Sequence, residues 1–116
     1  MTLLEKQWLF AELNGKFIAW VYSHPEYKLV GGDWHRTQAQ AATNASTGAG
    51  ILHSLHILSL AQDFSLFING VYQKETEPYA PLGEFWKSLH PLCRWGGDFV
   101  LRKDGGHFSI EHEGVR

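Results

Sequence analysis

Apolar positions between residues 3 and 22 recur at helical spacing. Leu4, Trp8, Phe10 or Ala11, Phe17, Ala19 or Trp20, and Tyr22 can share one broad face, which predicts a helix. Asn14-Gly15 interrupts the pattern and allows a break, because glycine costs roughly 1 kcal/mol in a helix interior. Ser23-His24-Pro25 closes the element, since proline pushes the residue before it away from helical angles. Tyr27 to Trp34 reads as a short strand running into Gly31-Gly32. Helix-prone residues at 37–42 and a small polar loop at 43–50 follow. Ala61 to Ile68 is a largely apolar strand, Asn69-Gly70 a two-residue hairpin turn, and Val71-Tyr72-Gln73 the returning strand. Residues 74–81 form a polar, proline-bearing loop, and Leu82 to Leu89 has helical pattern up to the stop at Pro91. Trp95-Gly96-Gly97-Asp98-Phe99 reads as a turn. His107 to Glu111 alternates, with His107, Ser109 and Glu111 on one face and Phe108 and Ile110 on the other.

Composition narrows the function classes. At 116 residues the expectation is one domain spanning 1–116, large enough to bury a core. Seven Phe, five Trp and four Tyr supply much of that core. A formal charge of −2 without a basic run argues against a nucleic-acid binder, whose affinity rests on neutralising phosphates. The lone Cys93 cannot form an internal disulfide, so the fold does not depend on an oxidising compartment. No apolar run approaches the ~18–20 residues of a membrane span, so no membrane insertion is expected. The N-terminal M-T-L-L-E-K-Q-W lacks the features of a signal peptide, which predicts synthesis and retention in the cytosol unless another route releases the protein.

Two short stretches carry the candidate chemistry. Ser54 to Phe64 places His56 seven residues before Asp63, and Asp104-Gly105-Gly106-His107 supplies a second acid and a second imidazole. His56, Asp63 and His107 match the three protein ligands of a catalytic zinc site, which leaves a fourth position for water. Asp104 is the candidate general base and acid, and the glycine pair allows a tight turn that aims both side chains at one point. Ordinary histidines compete with this reading, and Asp104 to His107 could be only a polar hairpin loop. Asp63 is harder to dismiss, because a carboxylate within A-Q-D-F-S-L-F is costly to bury unpaired. Arg36, between a strand and a helix-prone segment, is placed to hold a carboxylate, although a solvated surface arginine is the simpler local reading.

Taken together, these motifs resemble the zinc peptidoglycan peptidases that include phage L-alanyl-D-glutamate endolysins and D-alanyl-D-alanine carboxypeptidases. Ser54, His56, Ala61 and Asp63 match the family's S-x-H-x-x-G-x-A-x-D, with Ser59 where glycine is usual. Asp104, His107 and Phe108 match its final motif in the D-x-x-H form of the endolysin-like branch, and Trp95 to Phe99 resembles the segment before it. The region of Arg36, Thr37 and Gln40 resembles the substrate-binding arginine segment. The resemblance covers about residues 27–112.

It implies a small α+β fold of the Hedgehog/DD-peptidase-like kind, a mostly antiparallel sheet with flanking helices. It further implies Zn²⁺ held by His56, Asp63 and His107, with Asp104 as catalytic base and acid. Arg36 would hold a substrate carboxylate or steady the oxyanion, and Ser54 and Gln40 would contact substrate. A left-handed backbone at Ser59 would be strained. The implied activity is cleavage of peptidoglycan stem peptides, first as a phage-type L-alanyl-D-glutamate endopeptidase acting as a monomer at the cell wall after release. The rivals are a D-alanyl-D-alanine carboxypeptidase, a non-catalytic zinc-stabilised wall-binding phage component, and a metal-free α+β domain.

Overall fold

The computed structural model describes residues 1–31 and 55–116. Helix α1 (Leu3–Tyr22) opens on a reciprocal cap. The Thr2 hydroxyl accepts from the Glu5 N–H at 3.1 Å, and the Glu5 carboxylate accepts from the Thr2 N–H at 2.8 Å. The helix runs unbroken through Asn14-Gly15, since the buried side chains on either side hold it to the sheet regardless of local propensity. The buried stripe is Phe10, Leu13, Asn14, Phe17 and Val21. Leu4, Trp8 and Tyr22, expected on the inner face, are 52 %, 65 % and 46 % exposed. The expectation failed because it followed side-chain type, while the i, i+3, i+4, i+7 series that docks includes a polar Asn14. Ser23 caps the helix as expected.

Strand β1 (Tyr27–Gly31) pairs antiparallel with β2 (Ala61–Ile68), Tyr27 opposite Ile68 and Gly31 opposite Phe64. Asn69 and Gly70, both at positive φ (51° and 81°), turn the chain into β3 (Val71–Tyr72) as the Asn-Gly signal predicts. A 3₁₀ turn (Glu77–Tyr79) leads into α2 (Ala80–Leu89), which starts two residues before the expected helix. β4 (Cys93–Trp95) was not expected and ends at Trp95, where the expected turn begins, because a three-residue strand carries too little alternation to register in sequence. β5 (His107–Ile110) pairs with both β2 and β4. The sheet order is β1-β2-β5-β4, with β3 also on β2, and every pairing is antiparallel. The architecture is α+β, an antiparallel sheet with flanking helices, as anticipated.

The core lies between the helices and one face of the sheet. Phe17 of α1 stands 4.6 Å from Phe108, 5.7 Å from Phe64 and 5.6 Å from Trp86, centroid to centroid. The Trp86 indole N–H donates to the Ser109 carbonyl at 3.0 Å, which ties α2 to β5. Among the described residues, no helix is long and apolar enough to cross a membrane.

Candidate metal centre

The pairing of β2 with β5 builds half of the site. Asp63 lies directly opposite His107, so strand alternation puts both side chains on the face away from Phe64 and Phe108. His56 arrives from the tight turn at 55–59 that precedes β2. Leu58 and Leu60 N–H groups donate back to the Leu55 carbonyl, at 3.2 and 2.9 Å. Buried Leu55 and Leu60 anchor the two ends, and His56 is buried between them. This turn requires Ser59 at φ 58°, the left-handed conformation in which a non-glycine residue is strained.

The three side chains converge. His56 Nε2 is 3.3 Å from Asp63 Oδ2, and His107 Nδ1 is 3.3 Å from Asp63 Oδ1. One donor atom from each of the three lies within 4.8 Å of the others. Both contacts are long for a charge-assisted hydrogen bond, which closes to about 2.7–2.9 Å. The two imidazoles approach different oxygens of the same carboxylate, and an ion between the three side chains would draw on one donor atom from each. His107 Nε2 is also buried without a hydrogen-bond partner among the described residues. The donor set, two imidazoles and one carboxylate, therefore fits a divalent transition metal such as zinc. Burial raises the Asp63 carboxyl, but the hydrogen bonds and charges of His107 and His56 outweigh it and hold the group well below the usual carboxylate range.

Asp104 is set beside this centre by backbone contacts. Its N–H donates to the Gly96 carbonyl at 3.0 Å, and its own carbonyl accepts from the His107 N–H at 3.1 Å. A Cβ on Gly96 would collide with the Asp104 carbonyl oxygen, and one on Gly106 with the Phe64 carbonyl oxygen. Only glycine permits these approaches. The Trp95 indole N–H donates to the Gly105 carbonyl at 2.8 Å and pins the same turn. Asp104 Oδ1 accepts from the Gly106 N–H at 3.2 Å. Asp104 as a residue is open to solvent, but its carboxyl is set among protein atoms. Burial, then the negative charge of Asp63, pushes that carboxyl above its ordinary value, with solvent at the mouth limiting the shift.

His56, Asp63, His107 and Asp104 are thus brought together as the sequence suggested. Arg36, Gln40 and Ser54 lie outside the described residues. The supporting parts were not singled out from sequence: Gly96 under the Asp104 turn, and a cleft of about 270 Å³ reaching from Asp63 and Asp104 to Tyr72, Lys74 and Tyr79. The Trp-Gly-Gly run at 95–97 was the available signal for the first.

A family model described as D-alanyl-D-alanine carboxypeptidase matches residues 47–110, more than half of the chain and the whole span from His56 to His107. Among solved structures, the Serratia marcescens L-Ala D-Glu endopeptidase ChiX is similar in fold, with a TM-score of 0.64 and 24 % sequence identity. The match covers 72 % of this chain and 66 % of that enzyme, a little under two thirds of its length. No curated protein matches the chain. A family match that spans more than half of the chain and contains both converging motifs places this chain in the D-alanyl-D-alanine carboxypeptidase family of peptidases.

Proposed function

We propose that this protein is a zinc-dependent peptidoglycan peptidase that hydrolyses a stem-peptide bond, with the L-alanyl-D-glutamate bond as first choice. The observation that carries the reading is the convergence of His56, Asp63 and His107 with the carboxyl of Asp104 set beside them. His56, Asp63 and His107 would hold the ion. Bound there, zinc would supply Lewis acidity toward the scissile carbonyl and increase the acidity of water. Asp104 takes a proton from the attacking water as the carbon–oxygen bond forms, and delivers it to the amine nitrogen as the carbon–nitrogen bond breaks. Arg36 steadies the developing oxyanion or holds a substrate carboxylate, and Ser54 and Gln40 contact the substrate. The fold shared with an L-Ala D-Glu endopeptidase supports the endopeptidase form, and the D-x-x-H spacing of Asp104 and His107 is the ground for proposing a phage-type lysin that acts at the cell wall.

The family description supports a second reading, a carboxypeptidase that releases terminal D-alanine. The cleavage products distinguish the two. The test is metal content followed by digestion of purified peptidoglycan with and without chelator, read by mass. The reading expects about one zinc per chain and chelator-sensitive cleavage with new L-alanine ends. Free D-alanine instead selects the carboxypeptidase. A well-folded protein that takes up no metal overturns the proposal.

A further inference from the structure

The cleft beside the metal centre has two walls of different origin. One is the segment from Tyr72 to Tyr79, which leaves the β2–β3 hairpin; the other is Lys103 to Gly106, which leads into β5. The walls meet at the base, where a Cβ on Gly105 would lie 3.1 Å from Thr76 Cα and Tyr79 Cβ. The Tyr79 hydroxyl fixes the first wall, donating to the Gln73 carbonyl at 2.9 Å and accepting from the Leu66 N–H at 2.9 Å. Asp63, Phe64 and Ser65 of β2 line the inner end. Each wall carries one lysine into the lining, Lys74 and Lys103, and both are exposed. Neither belongs to an ion pair among the described residues. Three carboxylates share the lining: Asp63 faces two imidazoles, Asp104 accepts from the Gly106 N–H, and Glu75 is exposed like the lysines.

Two lysines that belong to no ion pair among the described residues line one concave space that reaches Asp63, and so offer positive charge to an anion attached close to the scissile bond. We infer that Lys74 and Lys103 form a subsite for a free carboxylate on the substrate residue next to the cleaved bond; this rests on the peptidase reading above. A glutamyl residue has two carboxyl groups, and only one can continue a peptide chain. The other remains as a carboxylate or is capped as an amide. The lysine pair selects the uncapped form, which makes the protein a reader of amidation in its substrate as well as of sequence.

The probe is a synthetic peptide containing an L-alanyl-D-glutamyl bond, made with the spare glutamyl carboxyl either free or amidated. Binding of each peptide by NMR titration, and hydrolysis of each, are measured for the native chain and for Lys74→Ser/Lys103→Ser. Both lysines are exposed, so unchanged thermal unfolding serves as the control for folding. The native chain is expected to bind the free carboxylate about tenfold more tightly than the amide, a preference that weakens with added salt. In the double variant the ratio of the two affinities falls to about one. Equal affinities in the native chain, or a ratio unmoved by the double substitution, overturn the subsite even if both peptides are cleaved. A carboxylate preference without any cleavage leaves the subsite standing and overturns the peptidase reading. Neither binding nor cleavage overturns both.

Discussion

Asp63 and Phe64 are neighbours in the chain, and so are His107 and Phe108, yet the members of each couple belong to different worlds. Phe64 and Phe108 face α1 and pack around Phe17 in a buried aromatic cluster. Asp63 and His107, one residue away, face the opposite side of the sheet and meet His56. One face of the β2–β5 pairing stabilises the fold and the other holds the chemistry, and a single register couples them. The packed face thus sets where the donors stand. Both sides carry local costs: among the described residues the Asn14 amide on the packed side and His107 Nε2 on the other are buried without a hydrogen-bond partner, and the turn that carries His56 holds a left-handed serine.

If the two faces divide the labour in this way, substitutions on each should fail differently. The largest effect is expected for Asp104→Asn. Peptide hydrolysis should fall by about 10²–10⁴-fold, while metal content and thermal unfolding stay near those of the native chain. A matching loss of stability would show that Asp104 supports the fold. Next is Phe17→Ala on the packed face, which should cost about 3–5 kcal/mol in denaturant unfolding. A cost below about 1 kcal/mol would mean that the aromatic cluster does not hold the register.

Smaller changes sharpen the division. Ser59→Gly relieves the left-handed backbone of the turn that carries His56, and should raise stability by up to about 1 kcal/mol in urea melts. Destabilisation instead would mean that contacts of the serine side chain outweigh the backbone strain. The mildest probe is the Cys93 thiol, which lies opposite Ile110 on the packed side and is pushed up to about 12 by burial. Its folded pKa exceeds the unfolded value of about 8.5, so its contribution to stability is complete below that pH and declines as pH rises from there towards the folded value. At pH 8 the thiol should react with a disulfide reagent much more slowly in the folded chain than in denaturant. Equal rates would show that this part of the sheet opens readily.

Several features were legible because they depend on neighbours in the chain. The Asn69-Gly70 hairpin follows from two residues that tolerate positive φ, and the stop after Tyr22 follows from Pro25. The spacing of His56 and Asp63, and of Asp104 and His107, marked the site, since two short motifs with chemically matched residues stand out from background. Other features were not legible for equally local reasons. β4 is too short to show a period. The docked stripe of α1 could not be chosen from type alone, because Trp8 is as apolar as Phe17 and yet stands in solvent.

The sequence by itself determined the donor types, their order along the chain, the turn chemistry and the alternation of β5. Those are properties of residues and their immediate neighbours. Only the tertiary structure decided that Asp63 lies opposite His107 across 44 residues of chain, that Gly96 lets Asp104 approach, and that Lys74 and Lys103 share one cleft. Those juxtapositions come from long-range pairing and packing. They are fixed by which register buries Phe64 and Phe108 together, and that choice is made by the whole core.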